Sequence, residues 1–114
     1  MTKREYAEFC ASLPGAVIDR PFEKDFVSWI ARHAGSRKWF AVVMEKGGRT
    51  LINLKCEPAE AELLRSVYAG VVPGYHMNKT HWNTVYPDAD VPPEELLRMT
   101  ENSYRLTGGV WPPR

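Results

Sequence analysis

One stretch of the chain, residues 75–84, holds most of the side chains that could do chemistry. It contains two histidines, a lysine, two asparagines, two threonines and two aromatic rings. We predict that these groups lie on a loop and on the strand that follows it, because binding sites concentrate on loops held by a rigid scaffold. An alternative stays open, in which Tyr75 and Trp82 cover one end of the core while the polar groups bond to loop backbone.

The familiar metal and nucleophile patterns are missing from the sequence. His76 and His81 lack the close pairing of zinc ligands, so a metal would need His33 or a cysteine from another part of the chain. There is no GxSxG elbow, and neither Cys10 nor Cys56 lies in the context of a reactive thiol. We therefore expect no metal, no cofactor and no enzyme activity.

Basic residues are the second candidate feature. Phosphate contacts from Lys and Arg, combined with stacking on aromatic rings, are the usual ingredients of nucleic-acid binding. The cations expected on turns and strand ends are Lys24, Arg32, Arg37, Lys38, Arg49, Lys55 and Lys79. Trp29, Trp39 and Trp82 are expected nearby. Scattered cations are also ordinary on a solvated surface, so this pattern alone does not decide for nucleic acid.

The composition is that of an ordinary globular protein. With 44% hydrophobic and 25% charged residues in 114, we expect one domain over residues 1–114. The net charge of +1 argues against strong non-specific binding to polyanions, although the first half of the chain is the more basic. No apolar run is long enough to span a membrane, and the two cysteines lack disulfide spacing. We expect a cytoplasmic protein with free thiols, monomeric or a small homo-oligomer, that contacts no membrane.

Hydrophobic periodicity predicts the elements that must position these residues. Thr2 and Glu5 have the spacing of a capping box, which predicts a helix over residues 3–12. Further helices are expected to begin at Pro58 and at Pro92 or Pro93. Strands are expected over residues 16–20, 26–30, 39–45, 50–55 and 81–86, with Pro21 as an edge or turn residue.

The resulting order, α-β-β-β-β-α-β-α, contains a run of consecutive strands. Such a run favours an α+β two-layer sandwich, an antiparallel sheet with helices packed on one face. In the hairpin over residues 39–55, alternation places Ile52, Leu54 and Cys56 on the buried face. The opposite face would then carry Leu51, Asn53 and Lys55, with Lys55 towards solvent or a cleft. In the second helix, the apolar row consists of Ala59, Leu63 and Val67, with Leu64 and Tyr68 beside it.

A longer pattern links three of these stretches. They are Leu54-Lys-Cys56 before the second helix, residues 73–85, and Ser103-Tyr104 near the end of the last helix. Together they resemble the MmcQ/YjbR-like family of small bacterial proteins. The resemblance implies an α+β domain similar to secretion-chaperone-like and frataxin-like folds. The residues that match the family motif are Lys55, His76, Asn78, Lys79, His81, Trp82, Asn83, Thr84, Ser103 and Tyr104.

Members of this family are commonly labelled DNA-binding, on the basis of a proposed double-wing arrangement. The resemblance therefore implies a non-enzymatic DNA-binding protein that uses basic strand ends and loops. The expected nucleic-acid contacts are Arg37, Lys38, Lys55, Lys79 and His81. Two alternatives remain: a protein-interaction or chaperone-like adaptor domain, and a small-molecule site in the loop over residues 75–84.

Overall fold

Three helices and six strands follow one another in the computed structural model, which describes residues 1–20 and 27–113. The helices are α1 (Lys3–Ser12), α2 (Pro58–Val67) and α3 (Pro93–Leu106). The strands are β1 (Ala16–Asp19), β2 (Val27–His33), β3 (Trp39–Lys46), β4 (Arg49–Lys55), β5 (Val71–Pro73) and β6 (Trp82–Val85). None of the helices in the described ranges is long and apolar enough to cross a membrane.

The strands form one antiparallel sheet in the order β1-β2-β3-β4-β6-β5. All three helices pack on the same face of this sheet, where their apolar side chains bury against those of the strands. The helix residues of this core are Tyr6, Cys10, Ala61, Leu64, Leu96, Met99 and Tyr104. The predicted α+β fold, with an antiparallel sheet and helices on one face, is confirmed. The predicted element order lacked only β5.

The opposite face of the sheet carries a second apolar cluster, which the alternation argument did not anticipate. It consists of Ile30, Val42, Met44 and Leu51, all buried. Ile52, Leu54 and Cys56 are buried as predicted, but Asn53 on the opposite face is fully buried too, so β4 is covered on both sides. The physical reason is a covering segment, residues 74–81, which packs Tyr75 and Met77 against this cluster. We call this side of the sheet the loop face.

The predictions for α1 and for the cysteines are confirmed. The Thr2 hydroxyl accepts a hydrogen bond from Glu5 N at 3.0 Å, and the Glu5 carboxylate accepts one from Thr2 N at 2.9 Å. Cys10 and Cys56 are buried free thiols, and burial raises their pKa values to about 12 and about 11. Both thiols therefore stay protonated near neutral pH, which makes them poor nucleophiles.

The helix predicted to begin at Pro58 is confirmed, but the side that it turns towards the core is not the predicted one. Ala61 and Leu64 face the core, whereas the predicted apolar row of Ala59, Leu63 and Val67 is exposed to solvent. The predicted edge residue Pro21, the strand residue Phe26 and the candidate cation Lys24 lie outside the described residues.

Candidate functional site

The loop over residues 74–81 is fastened to the sheet by a closed set of hydrogen bonds. The Asn53 amide donates to Tyr75 O at 2.9 Å, and Tyr75 N donates to the Thr84 hydroxyl at 2.8 Å. The Thr84 hydroxyl in turn donates to the Asn53 side-chain oxygen. Asn53 and Thr84 are both fully buried. We call these three residues the latch, because they join the loop to β4 and β6 across the loop face.

A second fastening joins the end of the loop to α2. Arg65 Nε donates to the Asn83 side-chain oxygen at 2.7 Å, and its guanidinium also bonds to the carbonyl of Lys79. Asn83 is buried, and its amide donates to Ala61 O on α2 at 3.3 Å. Trp82, next to it, is half-buried. The guanidinium of Arg65 therefore holds loop and helix together rather than projecting towards a ligand.

The backbone of the loop is shaped by close contacts of its own. A Cβ placed on Gly74 would lie 2.8 Å from the Trp82 Cβ, which is shorter than real Cβ contacts. His76 has a φ of 58°, in the left-handed region that few non-glycine residues adopt, and its ring lies 4.0 Å from that of Tyr75. The Asn78 side chain accepts from Thr80 N at 2.9 Å, as in a turn closed by an asparagine.

The last two motif residues belong to the core. Ser103 on α3 donates to Phe40 O at 2.6 Å and accepts from Lys55 N at 2.9 Å, so it bridges β3 and β4 where β3 has an irregular register with β2. The buried Tyr104 hydroxyl donates to Pro14 O, which ties α3 to the turn after α1. These side chains hold elements in place.

The five predicted nucleic-acid contacts fall into two groups. Arg37 and Lys38 lie in the turn between β2 and β3, and they are exposed. Lys55 is the last residue of β4 and pairs with Trp82, and the exposed His81 comes just before Trp82. Arg37, Lys38, Lys55 and His81 therefore lie at the same end of the antiparallel sheet. Lys79 differs, since its Nζ donates to Gly74 O at 2.9 Å within the loop.

At the opposite end of the loop face, two cations lie over aromatic rings. Lys46 Nζ is 4.3 Å from the ring centre of Tyr75, and the Arg49 guanidinium is 4.1 Å from that of Tyr86. Arg49 also pairs with Asp88 at 2.7 Å. Lys46 was not among the cations predicted to contact nucleic acid. The alternation of side chains along the hairpin was the available signal, because it places Lys46 on the same face as Met44.

Charge is divided unequally between the two sides of the sheet. Alternation puts four cations and one carboxylate of the strands on the loop face: Arg32, Lys46, Arg49, Lys55 and Asp19. On the other side, α2 and α3 carry five glutamates and three arginines: Glu60, Glu62, Glu94, Glu95, Glu101, Arg65, Arg98 and Arg105. The described loop face is therefore the more positive side.

The third histidine lies on the other face of the sheet from His76. His33 lies on the helix face, with Nε2 2.7 Å from the Thr107 hydroxyl and its ring 4.8 Å from that of Tyr104. Burial lowers the pKa of His33 from its ordinary value, because it disfavours the charged imidazolium. His76, by contrast, lies on the loop that covers the opposite face. Within residues 1–20 and 27–113, no three His, Cys, Asp or Glu side chains are grouped so that they could hold a metal ion.

Comparison with known proteins gives the family. The family model YjbR matches residues 11–106. The uncharacterized protein YjbR of Escherichia coli K12 is 34% identical over 113 residues, which cover 98% of this chain and 92% of that protein. The uncharacterized protein YyaQ of Bacillus subtilis is 30% identical over 117 residues, with 94% of this chain and 98% of that protein covered.

Solved structures agree with the fold. A crystal structure of a Pseudomonas syringae protein has a TM-score of 0.83 at 29% identity and covers 94% of this chain and 99% of its own. A crystal structure from Deinococcus radiodurans has a TM-score of 0.81 at 30% identity and covers 92% of this chain and 77% of its own. With the fold, the motif and the sequence match in agreement, this chain belongs to the YjbR family.

Proposed function

We propose that this protein binds DNA through the loop face, as a binding protein without catalysis. The observation that carries the proposal is the division of charge across the sheet, with cations on the loop face and most helical carboxylates behind it. Since the net charge is only +1, attraction to a polyanion must come from this local arrangement. Binding is therefore expected to be modest and steeply dependent on salt.

The cations are spaced for a phosphate backbone. Arg49 and Lys55 begin and end β4, six residues apart on the same face, which corresponds to about 20 Å along a strand. That length equals the rise of about six base pairs of duplex. Arg49 would have to exchange its exposed ion pair with Asp88 for a phosphate. Arg37 and Lys38 extend the positive end beyond Lys55, and Lys46 lies beside Arg49 across the hairpin. The polar side chains of the latch are hydrogen-bonded to each other and to the loop backbone, so we do not expect them to contact DNA.

The test is fluorescence anisotropy with a labelled duplex of about 20 base pairs, titrated at low and at physiological salt. A plot of log Kd against log salt concentration should rise with a slope of about 3 to 4, the value that corresponds to about four phosphate contacts. Lys46→Ala and Lys55→Ala should each weaken binding several-fold and reduce that slope by about one. A single strand of the same length, measured in parallel, separates recognition of a duplex from recognition of any nucleic acid.

The matched control is Arg4→Ala, which removes one charge from an exposed position on α1 at the other side of the sheet. It should leave DNA binding nearly unchanged. Equal losses in Arg4→Ala and Lys55→Ala would mean that only net charge matters. Absence of binding at low salt, where phosphate attraction is strongest, would contradict the proposed function.

A further inference from the structure

Helix α2 presents an apolar row to solvent. Ala59, Leu63 and Val67 follow one another at every fourth position, so they lie on one side of the helix. Leu63 is 60% exposed and Val67 is 58% exposed, two of the four large hydrophobic residues that are exposed in the described part of the chain. Exposed apolar patches of this kind mark interaction surfaces more often than isolated exposed residues do.

The row cannot turn inward, because the other side of α2 is fixed. Ala61 and Leu64 are buried in the core, and Ala61 O accepts a hydrogen bond from the Asn83 amide. Arg65 is held by Asn83 and by the carbonyl of Lys79. Rotation of the helix would break all of these contacts, so the exposure of Leu63 and Val67 is a fixed property of the fold.

Beside the row, α2 and α3 enclose an open groove of about 570 Å³. Leu63, Leu64, Val67 and Tyr68 supply apolar surface along it. The charged residues that line it are Glu57, Glu60, Glu95 and Arg98. Arg98 is already bound to both neighbouring carboxylates, at 3.2 Å to Glu60 and 2.8 Å to Glu95. The groove is therefore apolar along its length and acidic at its rim.

We propose that this groove docks a basic amphipathic helix of a partner protein. The apolar row runs along the axis of α2, so a partner helix that lies along the groove could place its own apolar stripe against it. Glu57, and Glu62 beside Leu63, make no ion pair with another described residue, so they are available to Lys or Arg at the edges of the partner.

A second copy that docked through its own α2, in a two-fold contact, is a poor occupant of the same groove. It would bring another Glu57 and Glu62 against the first pair, and like charges repel at short range. The nearby cations could not compensate, because Arg65 bonds to Asn83 and Arg98 bonds to Glu60 and Glu95. Charge complementarity thus favours a cationic partner.

The docking groove is independent of the proposed DNA surface. α2 packs on the helix face of the sheet, whereas Lys46, Arg49 and Lys55 project from the loop face. A partner helix and a nucleic acid could therefore be held at the same time. Failure of either kind of binding would leave the other untouched.

The experiment measures binding of a fluorescein-labelled helix of about 14 residues, made of Leu and Lys with one apolar stripe, at physiological salt. A peptide of the same composition with its order permuted to destroy the stripe is the ligand control. Leu63→Ser and Val67→Ser should each weaken binding about tenfold or more, because each removes a buried aliphatic contact. Glu57→Gln and Glu62→Gln should weaken it less, and more strongly at low salt.

Val110→Ser is the matched protein control, since Val110 is also exposed but lies outside the groove. It should bind the stripe peptide with the affinity of the parent. The proposal is overturned if the parent does not bind the stripe peptide, if the permuted peptide binds equally well, or if Leu63→Ser has no effect. Self-association of the parent that Leu63→Ser abolishes would also overturn it and assign the groove to a second copy.

Discussion

The latch on the loop face and the apolar row on α2 reverse the usual positions of polar and apolar side chains. Asn53 and Thr84 are polar and fully buried, whereas Leu63 and Val67 are apolar and largely exposed. In the first region, each polar group has a hydrogen-bond partner, so burial is tolerated. In the second, nothing in the described structure covers the side chains. The difference teaches that residue type alone does not separate structural positions from binding surfaces.

Most of the polar residues that match the family motif hold the fold together. Asn83, Thr84, Ser103 and Tyr104 look like functional residues in the sequence, yet their side chains hold a loop, a helix and a strand together. The candidates for binding are instead the cations of the strands and the apolar residues of α2. Stability measurements can test this division directly.

Asn53→Ala should produce the largest loss of stability. It removes the side chain that bonds to Tyr75 O, which is partly buried, and to the buried Thr84 hydroxyl, and it leaves both groups without that partner. We expect a loss of about 2–4 kcal/mol in the free energy of unfolding, measured by urea denaturation. The contrast is Leu63→Ala, which should cost less than about 0.5 kcal/mol because Leu63 is exposed. Similar losses in the two variants would contradict the comparison.

Gly74→Ala tests whether the loop backbone must lie this close to the strand. The new Cβ would lie 2.8 Å from the Trp82 Cβ and 2.9 Å from Trp82 O, so loop and strand would have to separate. We expect a loss of about 1–3 kcal/mol in the free energy of unfolding. Gly35→Ala is the control, because no atom lies within 4 Å of its Cβ position. The close approach would be unimportant if both substitutions had equal effects.

The smallest expected effect is the pH dependence of His33. Burial lowers its pKa below the usual 6.5, so the unfolded chain binds a proton more readily than the folded chain. Its contribution to stability is therefore complete above about pH 6.5 and is lost as the pH falls towards the lower folded pKa. His33→Gln should flatten this part of the stability profile in denaturation series from about pH 7.5 to about pH 5. A profile of His33→Gln that is as steep as that of the parent between these pH values would contradict the prediction.

Periodicity was sufficient to predict most of the fold. The capping box of α1, the hairpin of β3 and β4 and the proline-started helices appear where the sequence placed them. β5 was missed because it has three residues and ends at Pro73, too short a segment to show alternation. The exposure of the row formed by Ala59, Leu63 and Val67 could not be predicted from the local sequence either. The rotation of α2 about its axis depends on the bonds of Arg65 to Asn83 and Lys79, which are distant in sequence.

The candidate site was predictable only in part. The sequence identified Arg37, Lys38, Lys55 and His81, which the structure brings to one end of the sheet. Alternation along the hairpin could have placed Lys46 on the face of Met44, but only the fold shows that its side chain lies over the ring of Tyr75. The sequence could not separate ligand-binding polar groups from structural ones, since that distinction depends on long-range contacts such as Asn53 to Tyr75, 22 positions apart.

The two borders of the sheet limit how this protein can associate. β1 has four residues and β5 has three, and Pro73 in β5 has no backbone N–H to offer a neighbouring strand. Short edges of this kind give an incoming strand few groups with which to extend the ladder, a common protection against aggregation. Lateral growth of the sheet is thus discouraged, and its broad faces are left as the surfaces on which other molecules can be recognised.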